Sequence, residues 1–229
     1  MHPLILGAGL WALAAALPVA AKQACPAASA ATLERLFSAD CPDCWAQAQA
    51  QAQAGDSAAP GWVFDWIVPA GSDAALAAGA LPESAERLQR LGLGAPSAGA
   101  TPQLALQPAR RAGSTPALRV QSGPAWNGYF GLDLHLPAVA RRRLPAGSTG
   151  WLALVERVPA GSDGTPVARD LVRSVAGPLA LDGARAGQRL SHLRALRWPP
   201  SAEPTRLQAR AWIEAPDGTI LAVAADQCR

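Results

Sequence analysis

The sequence predicts an α/β domain followed by an antiparallel β-rich, sandwich-like domain. Three observations carry this. Strand-like and helix-like segments alternate as far as Ser122, whereas from Gly123 onward only strand candidates and Gly- and Pro-containing turns follow. A Cys41-Pro42-Asp43-Cys44 pair sits where a short apolar strand meets a helix. The expected divisions are 1–21 for a signal peptide, 22–122 for the first domain and 123–229 for the second.

The first segment reads as an export signal because an apolar run over 4–19 ends in small residues, with Val19 and Ala21 at positions −3 and −1 of a cleavage site. Pro3 and Pro18 bracket a run shorter than the roughly 18 to 20 apolar residues that a membrane span needs. No stable span is therefore expected after cleavage, and the protein is expected in the periplasm or outside the cell. Cleavage removes no Asp, Glu, Lys or Arg, so the formal charge of +3 is kept. Nineteen of the twenty basic residues are Arg, scattered except at Arg141-Arg142-Arg143. So small a net charge gives no support to nucleic-acid binding, and the triplet reads as a solvated loop.

In the first domain, Thr32 to Phe37 is a short apolar strand candidate that breaks at Ser38-Ala39-Asp40. After Trp45, residues 46–54 alternate Ala and Gln, a period of two, yet both are good helix formers and Ala is depleted in strands, so a helix over 42–54 is expected, with Pro42 in its first turn and Gly55 ending it. Residues 61–68, rich in aromatic and β-branched side chains, form the best strand of this half. Residues 82–91 read as a helix with Pro82 first, acids early, Arg late and Gly92 after it. Residues 101–107 and 117–121 are strand candidates joined as a long hairpin. Strand, helix, strand, helix, strand, strand is the order of a thioredoxin-type domain.

Beyond Gly123, strands are expected over 129–136, 150–158, 170–176, 189–198, 205–214 and 219–225. Pro216-Asp217-Gly218 between the last two marks a hairpin.

The cysteines carry the chemistry. All four follow the signal, an even number in a chain bound for an oxidising compartment. A structural disulfide between Cys25 and Cys228 would close a loop of about two hundred residues, worth roughly 4 to 5 kcal/mol of chain entropy, and would leave Cys41 and Cys44 free to cycle. At a helix N-terminus the thiolate is stabilised by the dipole and the open N–H groups, so Cys41 would attack and Cys44 would resolve the mixed disulfide, with Asp43 opposing by its charge. A permanent structural disulfide is the competing reading. No metal site is expected, because one Cys-x-x-Cys supplies two ligands and His135 and His192 are isolated. Thr101-Pro102 fits the place of a cis-proline facing the dithiol, and Trp45, Trp62 and Trp66 read either as groove or as core, with burial favoured for at least two of them.

Glu34, Leu36-Phe37-Ser38, Cys41, Cys44 and Thr101-Pro102-Gln103, with Val172-Arg173 and residues 217–222 later, resemble a family of uncharacterised secreted bacterial proteins with a thioredoxin-like domain. Trp45-Ala46 replaces the family's Pro-Pro, and Val63-Phe64-Asp65-Trp66 echoes part of another motif. The resemblance implies a thioredoxin-like fold and export. The expected function is thiol-disulfide exchange on thiol-containing exported proteins, with Cys41 and Cys44 catalytic, Thr101, Pro102 and Trp45 shaping the substrate groove, and no diffusible cofactor. The alternative is a non-enzymatic, disulfide-stabilised binding or structural module.

Overall fold

A computed structural model of the chain describes residues 25–45, 61–97, 102–110, 115–162, 167–182 and 187–228. Among these, β1 (Thr32–Ser38), β2 (Trp62–Val68), α1 (Pro82–Arg90), β3 (Gln103–Gln107), β4 (Arg119–Ser122) and β5 (Tyr129–Leu136) are followed by α2 (Ala138–Arg141), β6 (Thr149–Val158), β7 (Arg169–Ala180), β8 (Leu190–Arg197), β9 (Leu207–Glu214) and β10 (Ile220–Ala225). Seven strands form one mixed sheet in the order β10-β9-β6-β7-β2-β1-β3, and β4-β5-β8 form a second, antiparallel sheet.

This corrects the α/β thioredoxin-like expectation: the described chain is mostly β. β3 and β4 do not form a hairpin. β3 runs antiparallel to β1 at one edge of the large sheet, whereas β4 pairs with β5 in the small one. β2 runs parallel to β1 on one side and to β7 on the other, meeting β7 at Asp65↔Leu171. Strands from both sides of residue 122 are thus hydrogen bonded in a single sheet. Of the helix expected over 42–54, only Cys44 and Trp45 lie among the described helical residues, and 46–54 fall outside the description.

Burial explains the two sheets. The central strand β6 reads Trp151-Leu152-Ala153-Leu154-Val155 without polar interruption, the pattern of a strand covered on both faces. Leu152 and Leu154 join Leu132, Leu134, Leu136, Leu179 and Ile213 between the sheets, while Trp151 and Ala153 join Leu36, Phe64, Trp66, Leu88 and Trp212 on the face that α1 covers. β5 alternates strictly: Leu132, Leu134 and Leu136 are buried and Tyr129, Gly131, Asp133 and His135 face away, as in a sheet wetted on one side. On β7, Gly177 meets the Trp151 ring so closely that a Cβ there would lie 2.2 Å from a ring carbon, and only glycine fits.

The large sheet also buries charge. Arg87 of α1 donates to both carboxylate oxygens of Glu34, at 2.8 and 2.5 Å, and to Glu214 at 2.7 Å. Trp66 donates to Glu34 and Trp212 to Glu214, which satisfies further lone pairs. Burial would lower the Arg87 pKa, but the two carboxylates together raise it. At neighbouring Arg90, stacked 4.4 Å from the Trp151 ring centre, burial wins over Glu214 and the pKa is lowered. A second set seals the β2–β7 junction: Arg35 donates to both oxygens of Asp65 at 2.5 and 2.7 Å, Asp65 accepts the Asp170 N–H at 2.6 Å, and Arg210 donates to Asp170 at 2.5 Å.

Candidate functional site

The cysteine pair follows β1, whose seven residues are all buried. The strand ends because the Ala39 N–H still bonds the Val68 carbonyl while the Cys41 N–H turns back to Ser38, after which Cys44 bonds back to Cys41. This tight reversal brings the two Cα atoms to 5.5 Å, and the cysteines are joined as a disulfide. Cys41 is 7 % exposed and Cys44 1 %. They pack in a cluster with Phe37, Ala39, Trp45, Ile67, Val158 and Leu171. The Trp45 ring centre lies 3.8 Å from that of Phe37, and the Arg169 guanidinium lies 5.5 Å from the Trp45 ring.

The other expected site residues fall into place unevenly. Cys25 and Cys228 form the second disulfide, across 203 positions of sequence. Pro102 is buried and precedes Gln103, which pairs with Leu36, so it stands at the end of the sheet where β1 leads into the cysteine turn. Thr101, and with it the Thr101–Pro102 peptide bond, lies outside the described residues. Trp45, Trp62 and Trp66 are all core side chains, and Trp62 spends its N–H on the Ala27 carbonyl. His135 and His192 sit on different strands, and among the described residues no three His, Cys, Asp or Glu side chains gather to hold a metal.

What a disulfide so placed can do follows from access. Exchange begins with a thiolate attacking one sulfur along the S–S axis, so the attacked sulfur must be reachable. Here both cysteines are packed among apolar side chains. A cavity of about 300 Å³ lies elsewhere, lined by Arg110, Pro116, Val139, Arg143, Leu144 and Leu221.

Two features escaped the sequence. One is the buried charge: nothing in the reading of the sequence placed Glu34, Arg35, Asp65 and Arg87 in the core, and the signal available was that Glu34 and Arg35 interrupt a strand otherwise fit for burial. The other is an exposed apolar group on the small sheet, Trp126, Tyr129 and Leu193. The Asn127-Gly128 turn is its sequence signal, because left-handed backbone at both residues builds a two-residue hairpin that presents Trp126 beside Tyr129.

No family model matches the sequence, and no curated protein matches it either. Among solved structures, HBP35 of Porphyromonas gingivalis is similar in fold, with a TM-score of 0.54 and 13 % identity over 89 % of this chain and 76 % of that one. At that identity the likeness speaks for the fold alone. Among the described residues no helix is long and apolar enough to cross a membrane.

Proposed function

We propose that this chain is an exported, non-enzymatic binding module whose two disulfides are permanent. The observation that carries the reading is the burial of the Cys41–Cys44 disulfide at 7 % and 1 % exposure within the Phe37, Trp45 and Ile67 cluster. An exchange enzyme must offer its attacking sulfur to a protein substrate, and a disulfide buried to this degree offers little of either sulfur. The even cysteine count, both pairs bonded, and the apolar amino-terminal run with small residues at 19 and 21 support export. Thiol-disulfide exchange through Cys41 and Cys44 is the competing reading, favoured by the strand-turn placement of the pair.

A turnover assay separates them. The purified protein and its Cys41→Ser/Cys44→Ser variant are each added to a model disulfide protein with dithiothreitol, and reduction is followed in time. The proposal expects both to match the uncatalysed rate. Acceleration by the wild type and not by the variant would overturn it.

A further inference from the structure

We infer that the outer face of the β4-β5-β8 sheet docks on an anionic lipid bilayer, held by an apolar triad with arginines around it. The inference rests on the binding-module reading and deepens it by naming the partner.

Register places the residues. Trp126 pairs with Tyr129 across the Asn127-Gly128 turn, and Tyr129 pairs with Arg197 of β8, so these three side chains share one face. The next rows on that face are Gly131 beside Ala195, then Gln121, Asp133 and Leu193, then Arg119, His135 and Ser191. Leu193 leans over the bare Gly131, 3.8 Å from where a Cβ would stand. Trp126 is 81 % exposed, Leu193 66 % and Tyr129 43 %. Three of the five large apolar side chains that project into solvent among the described residues are therefore gathered on this small sheet.

Charge selects the occupant. Arg119 and Arg197 flank the triad on the face itself, and Arg189 and Arg194, both exposed, lie on or beside the edge strand β8. Asp133 is the one carboxylate among the rows named, and it is engaged by its neighbours: it accepts the Ser191 hydroxyl at 2.6 Å and lies 3.4 Å from His135. An extended negative surface suits cations placed both on the face and along its rim, and Trp and Tyr are the side chains that settle at a bilayer interface. A glycan would stack on the two aromatic rings but would gain little from Leu193, whereas acyl chains accept all three side chains.

The test uses the mature full-length chain, co-sedimented with phosphatidylcholine vesicles and with vesicles that also contain phosphatidylglycerol, at low and high salt. Binding is expected to the phosphatidylglycerol vesicles and to fall with salt. Arg119→Gln and Arg197→Gln should each weaken it about fivefold, and Trp126→Ala with Leu193→Ser about tenfold or more. Circular dichroism of each variant should match the wild type, since all four side chains are exposed. Equal or absent sedimentation with both vesicle types, or unchanged binding by the variants, would overturn the inference. So would retention on a uronate polysaccharide such as alginate that competes with the vesicles, because the face would then serve a glycan. Such failures leave the disulfides where they are; a redox-active Cys41–Cys44 pair would instead remove the binding-module reading, whatever the vesicles do.

Discussion

The large and small sheets solve opposite problems with the same kind of strand. Across β6 and β9 of the large sheet both faces are buried, and α1 is drawn onto one of them through Arg87 by the carboxylates of Glu34 and Glu214, which also accept the Trp66 and Trp212 N–H groups. In the small sheet β5 keeps one face dry and leaves the other open, with Trp126 and Leu193 in solvent. The large sheet is fixed by burial on both faces, and the small sheet leaves one face to solvent. Residues of the two sheets should therefore respond very differently to substitution.

The largest effect is expected at Arg87. Arg87→Met leaves Glu34 and Glu214 buried without their shared cation and should cost about 3 to 5 kcal/mol in denaturant unfolding. Because the well-packed apolar alternative to a buried ion set is often tolerated, adding Glu34→Gln to Arg87→Met should restore part of that loss. No recovery would mean that the network's contribution comes from packing and not from charge.

Removing Cys25 and Cys228 together by serine substitution should cost about 2 to 5 kcal/mol, because the unfolded chain regains the freedom that a closure across 203 positions denies it. Next, the small sheet offers an internal contrast. Leu132→Ala, fully buried on β5, should destabilise by about 2 to 5 kcal/mol. Leu193→Ala, on the open face of the neighbouring strand, should change stability by no more than about 0.5 kcal/mol. Equal costs would mean that the outer face is not open.

Most of the strands were legible in the sequence, and apart from the β9–β10 hairpin their partners were not. β2 announced itself by aromatic and β-branched residues, β5 by alternation, and β9 with β10 by the Pro216-Asp217-Gly218 turn between them. Pairing was hidden because a strand of five residues carries no label for its neighbour: β3 and β4 are close in sequence, yet β4 buries Val120 alone between exposed residues and fits the one-sided small sheet. The joining of β2 to β7 depends on Asp65 meeting Arg35 and the Asp170 N–H, a contact across about a hundred residues that no local pattern reports. The cysteine turn was visible as a motif, whereas its burial depends on Ile67, Val158 and Leu171 arriving from three other strands or strand ends.

The smallest effect concerns pH. Asp217 accepts the Thr219 N–H at 3.0 Å in the β9–β10 turn, and that bond holds its carboxyl below the ordinary value. A depressed folded pKa contributes stability above the unfolded value of about 3.9 and loses it as pH falls through the folded one. Asp217→Asn should therefore lower stability slightly at neutral pH, change little once pH falls below the folded pKa and so flatten the acid limb of the profile, as urea melts from neutral to acid pH will show.

The most direct test of the account is a redox titration of the native protein, with free thiols alkylated at each potential and located by peptide mass. Cys41 and Cys44 are expected to stay joined through the moderate range and to open only where the fold itself is lost, as structural disulfides with potentials below about −300 mV do. Opening of that pair at a moderate potential, with Cys25 and Cys228 still bonded and the fold intact, would contradict the claim that the cysteine turn is sealed core.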